Sequence, residues 1–94
     1  MTAYRKGARR EHATMRLLEA DGYVCIRAAG SHGAFDVVAF SAADVVLVQV
    51  KSIRWPGTVE MAALRAFPAP PHTRKEAHRW RAGTRTPDVR RVPA

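Results

Sequence analysis

Two stretches, Phe35 to Phe40 and Val45 to Lys51, are apolar at nearly every position, so neither has a face to spare for water. Strands of this kind belong inside a sheet that is covered on both sides. Only Ser41-Ala-Ala-Asp44 separates them, a spacing and composition that predict an antiparallel hairpin. In a chain of 94 residues the cover has to come from the same single domain. Two segments have the right periodicity. From Ala8 to Ala20, Met15 and Leu18 form an apolar ridge flanked by Ala13, Leu17 and Ala20, and Gly22 suits a left-handed cap behind it. From Thr58 to Ala66 a second helical run is stopped by Pro68. The expected fold is α/β, a small mixed β-sheet flanked by helices.

The remaining segments fill in that sheet. Tyr23 to Ala28 reads as a strand with Val24, Ile26 and Ala28 on one face. Ala29-Gly-Ser-His-Gly33 is a loop of small residues. Lys75 to Arg81 and Val89 to Val92 read as short edge strands around a turn at Gly83. Residues 1–94 are thus one domain, with a basic C-terminal part over residues 68–94.

Charge narrows the class of partner. Sixteen Lys and Arg against eight Asp and Glu leave a net charge of +8, a field that favours polyanions, nucleic acid first among them. All the basic residues except Lys6, Lys51 and Lys75 are arginine, the better bidentate partner of phosphate. No apolar run approaches the roughly 18 residues of a membrane span, and the polar, basic start carries no secretory pattern. A single cysteine, Cys25, excludes an internal disulfide framework or a multi-cysteine metal site, and its alternation with Val24 and Ile26 makes it a packed thiol. A cytoplasmic protein is expected. Charge alone leaves a nuclease, a passive binder and a structural protein equally open.

Four residues break the patterns around them. Glu11 precedes Met15 and Leu18 by four and seven positions, which sets a carboxylate on the core-facing ridge of the first helix. Asp36 opens a strand otherwise made of Val, Ala and Phe, on the face of Val38 and Phe40. Gln49 and Lys51 end the next strand, two apart and so on one side, with Val46, Val48 and Val50 on the other. The hairpin brings Asp36, Gln49 and Lys51 to one end of the ladder, and a helix packed on the sheet brings Glu11 there. Taken singly each has a plain structural role: a salt bridge for Glu11, a loop cap for Asp36, a backbone hydrogen bond for Gln49, a snorkelling strand end for Lys51. Together they are hard oxygen donors for Mg²⁺ or Mn²⁺ beside an ammonium group, the equipment of metal-dependent phosphodiester hydrolysis. Trp55 and Trp80 can either stack on exposed bases or pack in the core.

Asp36, followed after twelve residues by Gln49-Val-Lys51, resembles the core of the PD-(D/E)xK nucleases. The wider pattern is similar to the archaeal-type Holliday junction resolvases and their phage-encoded relatives. It comprises Tyr4-Arg-Lys-Gly-Ala8, Glu11, Leu17-Leu-Glu19, Gly22-Tyr23, Arg27-Ala-Ala-Gly-Ser31, Asp36-Val-Val-Ala39 and Gln49-Val-Lys-Ser52, within residues 4–52. The resemblance implies a restriction-endonuclease-like core and an Mg²⁺-dependent endonuclease, with Mn²⁺ able to substitute. Its action is resolution of four-way junctions by paired incisions as a homodimer. It makes Glu11, Asp36 and Gln49 the metal-site residues, Lys51 the catalytic lysine and Ser31 a residue that assists cleavage. Arg5, Lys6 and Arg27 match positions that contact DNA, and Arg9, Arg10 and Arg54 beside these motifs join them as candidates. Two departures stand out: Gln49 replaces the usual glutamate, and Phe35 replaces the proline before the aspartate. Other readings are a repair or nicking endonuclease of the same superfamily, and a binding protein without turnover.

Overall fold

A computed structural model describes residues 3–28 and 34–93. Helix α1 (Ala3–Ala20) leads into strand β1 (Val24–Arg27), then the hairpin β2 (Val37–Phe40) and β3 (Val45–Ser52). Helix α2 (Thr58–Ala66) crosses over to β4 (Thr73–Trp80), and β5 (Asp88–Arg91) closes the chain. The five strands form one sheet in the order β1-β2-β3-β4-β5. All neighbours are antiparallel except β3 and β4, which are parallel and need the helical crossover between them.

Both faces of β3 are covered, as its apolar sequence requires. On one face Leu18 of α1 packs with Val37, Ala39, Val46 and Val48. On the other, Leu64 of α2 packs with Phe35, Leu47 and Val92. Gly22, at φ 94°, receives α1 in the conformation that glycine alone adopts without strain, and the Gly22 and Tyr23 amides donate to the Glu19 and Leu18 carbonyls at 3.0 and 3.1 Å. Helix α1 begins five residues before Ala8, because apolar periodicity marks only the turns that face the sheet.

One expectation is corrected. The segment read as an edge strand from Lys75 to Arg81 is β4, eight residues long and paired on both sides. Its charges are consumed locally: Lys75 Nζ donates to the Leu64, Arg65 and Phe67 carbonyls at the end of α2, at 2.8, 3.1 and 2.7 Å. In β1 the inward face is that of Cys25 and Arg27, while Val24 and Ile26 are 69% and 57% exposed. Cover for this edge strand comes from α1, which lies on the Cys25 side, where the thiol packs against the core. Trp80 is also core: buried, it donates from Nε1 to the equally buried Thr14 hydroxyl at 2.9 Å.

Candidate active site

The site forms where β2 and β3 part. Pairing runs from Phe40–Val45 to Val37–Val48 and stops there, while β3 continues to Ser52. The Val50 amide, left without a β2 backbone acceptor, donates instead to Asp36 Oδ2 at 2.8 Å. Asp36 therefore stands just ahead of β2 rather than inside it, its carboxylate set in the split between the strands. Gln49 Nε2 approaches the same oxygen at 3.4 Å.

The surroundings of this carboxylate disfavour its charge. Burial pushes the Asp36 pKa above its ordinary value; the Val50 amide pulls it down, the Glu11 charge pushes it further up, and Lys51 pulls it down. Glu11 thus acts on Asp36 from the α1 side of the sheet, while Gln49 and Lys51 approach from the α2 side. Glu11 also makes the salt bridge its helical position allows, Oε1 to Arg27 Nη1 at 3.1 Å. Lys51 Nζ reaches Glu60 Oε2 at 3.0 Å, a partner supplied by the first turn of α2. Glu60, held below the usual carboxylate range chiefly by that lysine, was not singled out from sequence. Its spacing of three residues behind Gly57, whose amide it accepts at 3.3 Å, is a helix-start signature and the signal that marks it.

Asp36, Gln49 and Lys51 are thus brought together, with Glu11 in the same field. Ser31 and the side chains of Arg5 and Lys6 lie outside the described residues. Arg9 and Arg54 are exposed; Arg10 is half-buried, its guanidinium carbon 5.8 Å from the Trp80 ring centroid. Arg27 is committed to Glu11. No three His, Cys, Asp or Glu side chains converge as metal ligands among the described residues; the side chain that meets Asp36 from β3 is an amide, Gln49.

A family model described as archaeal Holliday junction resolvase (Hjc) matches residues 2–62, most of the chain and all of these residues. The chain belongs to that family. It is a junction-resolving nuclease of the archaeal Holliday junction resolvase type. The fold agrees over a longer stretch than the family model does. Archaeoglobus fulgidus Hjc, a Holliday junction resolvase from an archaeal hyperthermophile, superposes with a TM-score of 0.70 at 22% identity, over 94% of this chain and 72% of that one. The resolvase fold therefore includes β4 and β5, which lie beyond the matched residues.

Proposed function

We propose that this resolvase hydrolyses phosphodiester bonds with Mg²⁺, which Mn²⁺ can replace, held by Asp36, Glu11 and the Gln49 side-chain oxygen. The observation that carries this reading is the Asp36 carboxylate, kept in a desolvated split beside Lys51 and opposed by the Glu11 charge. A cation there relieves the repulsion, and the donor set is the hard oxygen chemistry such ions prefer. Gln49 fits once its amide turns its oxygen inward, a rotation that exchanges two groups of nearly equal size. When bound, the ion supplies Lewis-acid neutralisation of charge on the phosphate. Lys51 offers its ammonium to the attacking water or the phosphate oxygens, and Glu60 holds that ammonium in place until DNA arrives. Ser31, Arg5, Lys6, Arg9, Arg10, Arg27 and Arg54 are proposed on the DNA-facing side.

Paired incisions need two such sites, so the working unit is proposed to be a two-fold homodimer on the four-way junction. Val24, Ile26 and Phe40 support this: Val24 opposes Phe40 across the β1–β2 ladder, and these exposed apolar groups share a face a second copy can cover. Action on DNA in the cytoplasm is proposed with it.

The test is cleavage of a labelled four-way junction and of linear duplex, with and without Mg²⁺. Parent protein is expected to cut the junction symmetrically and only with metal, and Lys51→Ala to lose at least about a hundredfold in rate while still binding the junction. Gln49→Glu is expected to cut at lower Mg²⁺ and Gln49→Ala to need more. Equal rates for parent and Gln49→Ala at every metal concentration remove Gln49 from the ligand set. Junction binding without cutting at any Mg²⁺ or Mn²⁺ concentration would contradict this metal-site reading.

A further inference from the structure

The sheet register carries the active-site face two strands beyond β3. Lys51 lies opposite Arg79, and Arg79 opposite Asp88; Gln49 lies opposite Ala77, and Ala77 opposite Arg90. Residues opposed across a ladder share a face, so Arg79 and Arg90 stand on the side of Gln49 and Lys51. In strand spacings Arg79 is about 5 Å from Lys51 and Arg90 about 10 Å from Gln49. Both arginines lie beyond residue 62, where the family match ends.

The two cations converge on one ring. The guanidinium carbons of Arg79 and Arg90 are 4.7 and 4.2 Å from the Trp55 ring centroid. The chain reaches that position through a tight turn at the end of β3, where the Arg54 amide donates to the Ser52 carbonyl at 2.8 Å and Ile53 sits at φ 72°. A β-branched residue held at positive φ is strained, the kind of strain that functional turns retain. Asp88 Oδ2 accepts from Arg79 at 2.8 Å and from Arg81 at 3.0 Å, so one carboxylate serves two guanidinium groups. Arg79 Nε is buried without a hydrogen-bond partner, and Arg90 is exposed with no carboxylate bonded to it among the described residues. The ring attracts each cation but satisfies none of their N–H groups. What a pre-ordered pair of planar guanidinium groups accepts is an oxyanion, bound through paired donors.

We propose that Arg79, Arg90 and Trp55 form a phosphate subsite that holds the DNA strand next to the phosphate being cut, an extension that rests on the active-site reading above. Trp55 is its positioning residue: it fixes the guanidinium groups, so little side-chain freedom is lost when DNA binds.

Metal-free binding to a labelled four-way junction, measured by fluorescence anisotropy over a salt series, tests it. The variants are Arg90→Gln, Arg90→Lys and Trp55→Leu, with Arg16→Gln, exposed on α1 across the sheet, as the charge-matched control. Arg90→Gln is expected to weaken binding about fivefold and reduce the salt slope by about one, as loss of one phosphate contact does. Arg90→Lys is expected to keep the slope and fall between. Trp55→Leu retains both charges and is expected to weaken binding about twofold at unchanged slope, and Arg16→Gln to change it less than twofold. If Arg90→Gln and Arg16→Gln are indistinguishable in affinity and slope, the subsite is overturned. Asp36→Asn cleavage reports separately on the active site: inactive Asp36→Asn with unaffected Arg90→Gln removes the subsite alone, and normal cutting with weakened Arg90→Gln removes the catalytic assignment alone.

Discussion

At the hairpin end of the sheet, Asp44 accepts hydrogen bonds from Ser41 at 2.7 Å, Tyr23 at 2.9 Å and Arg74 at 3.2 Å. Arg74 passes on to Glu76 at 2.7 Å, and Glu76 to buried His78 at 3.0 Å. At the opposite end, Asp36 has one backbone amide at full hydrogen-bond distance and a second carboxylate pressing on it. The titration directions follow. Hydrogen bonds, from Ser41 and Tyr23 to Asp44 and from His78 to Glu76, hold those two acids below the usual range, whereas burial and Glu11 push Asp36 above it. The network that starts at Asp44 and the Asp36 split, built from the same residue types on one sheet, thus differ in whether the protein itself completes the charge balance. The Asp36 split, left incomplete, is the one proposed to take a ligand.

The largest expected effect lies in the completed network. Glu76→Gln removes a largely buried charge from between Arg74 and His78 and is expected to cost about 1.5–3 kcal/mol, read as a denaturant midpoint shift at unchanged slope. A carboxyl with a lowered folded pKa contributes stability above its unfolded value, near 4.3, and loses it as pH falls through the folded value. Acid unfolding of the parent should therefore steepen below about pH 4.3, and the Glu76→Gln profile should be flatter there. Identical acid profiles would show that the network is ornamental.

Thr14→Val probes the contact that pins α1 to the sheet. It leaves the buried Trp80 indole N–H without its acceptor and is expected to cost about 1–2 kcal/mol, checked by thermal melting. Melting unchanged within error would place the indole N–H on another acceptor.

The smallest effect has the opposite sign. Asp36 has a raised folded pKa, so its contribution is favourable below its unfolded value, near 3.9, and turns into a penalty as pH rises through the folded value. Asn retains an oxygen for the Val50 amide and carries no charge. Metal-free Asp36→Asn is expected to match the parent or exceed it by up to about 1 kcal/mol at neutral pH, with the gap closing in acid. A clear loss of stability at neutral pH would make Asp36 a structural group like Asp44.

Much of this was legible in the residues. The hairpin of two mostly apolar strands sets the register, and the register brings Asp36 to Gln49 and Lys51, so the meeting of these three candidate residues follows from spacing alone. Glu11 followed from helical phase. The illegible parts depend on what charged side chains meet after the chain has crossed over. Thr73–Trp80 looks like an edge strand because Arg74, Lys75, Glu76 and Arg79 look solvated; in the fold they meet Asp44, the end of α2, His78 and Asp88. Glu60 and the Arg79–Trp55–Arg90 group are beyond periodicity for the same reason. For β1, alternation locates two faces, and the reading of Cys25 as a packed thiol marks the one that α1 covers.

The contrast between the completed network and the Asp36 split is tested most directly by the rate of four-way junction cleavage at saturating Mg²⁺, measured side by side for Asp36→Asn and Glu76→Gln at a temperature where both are fully folded. Asp36→Asn is expected to lose at least about a hundredfold with junction affinity nearly unchanged, and Glu76→Gln to cut within about twofold of the parent. Parent-like cutting by Asp36→Asn, or an equal loss in both variants, would contradict the assignment of catalysis to the Asp36 split.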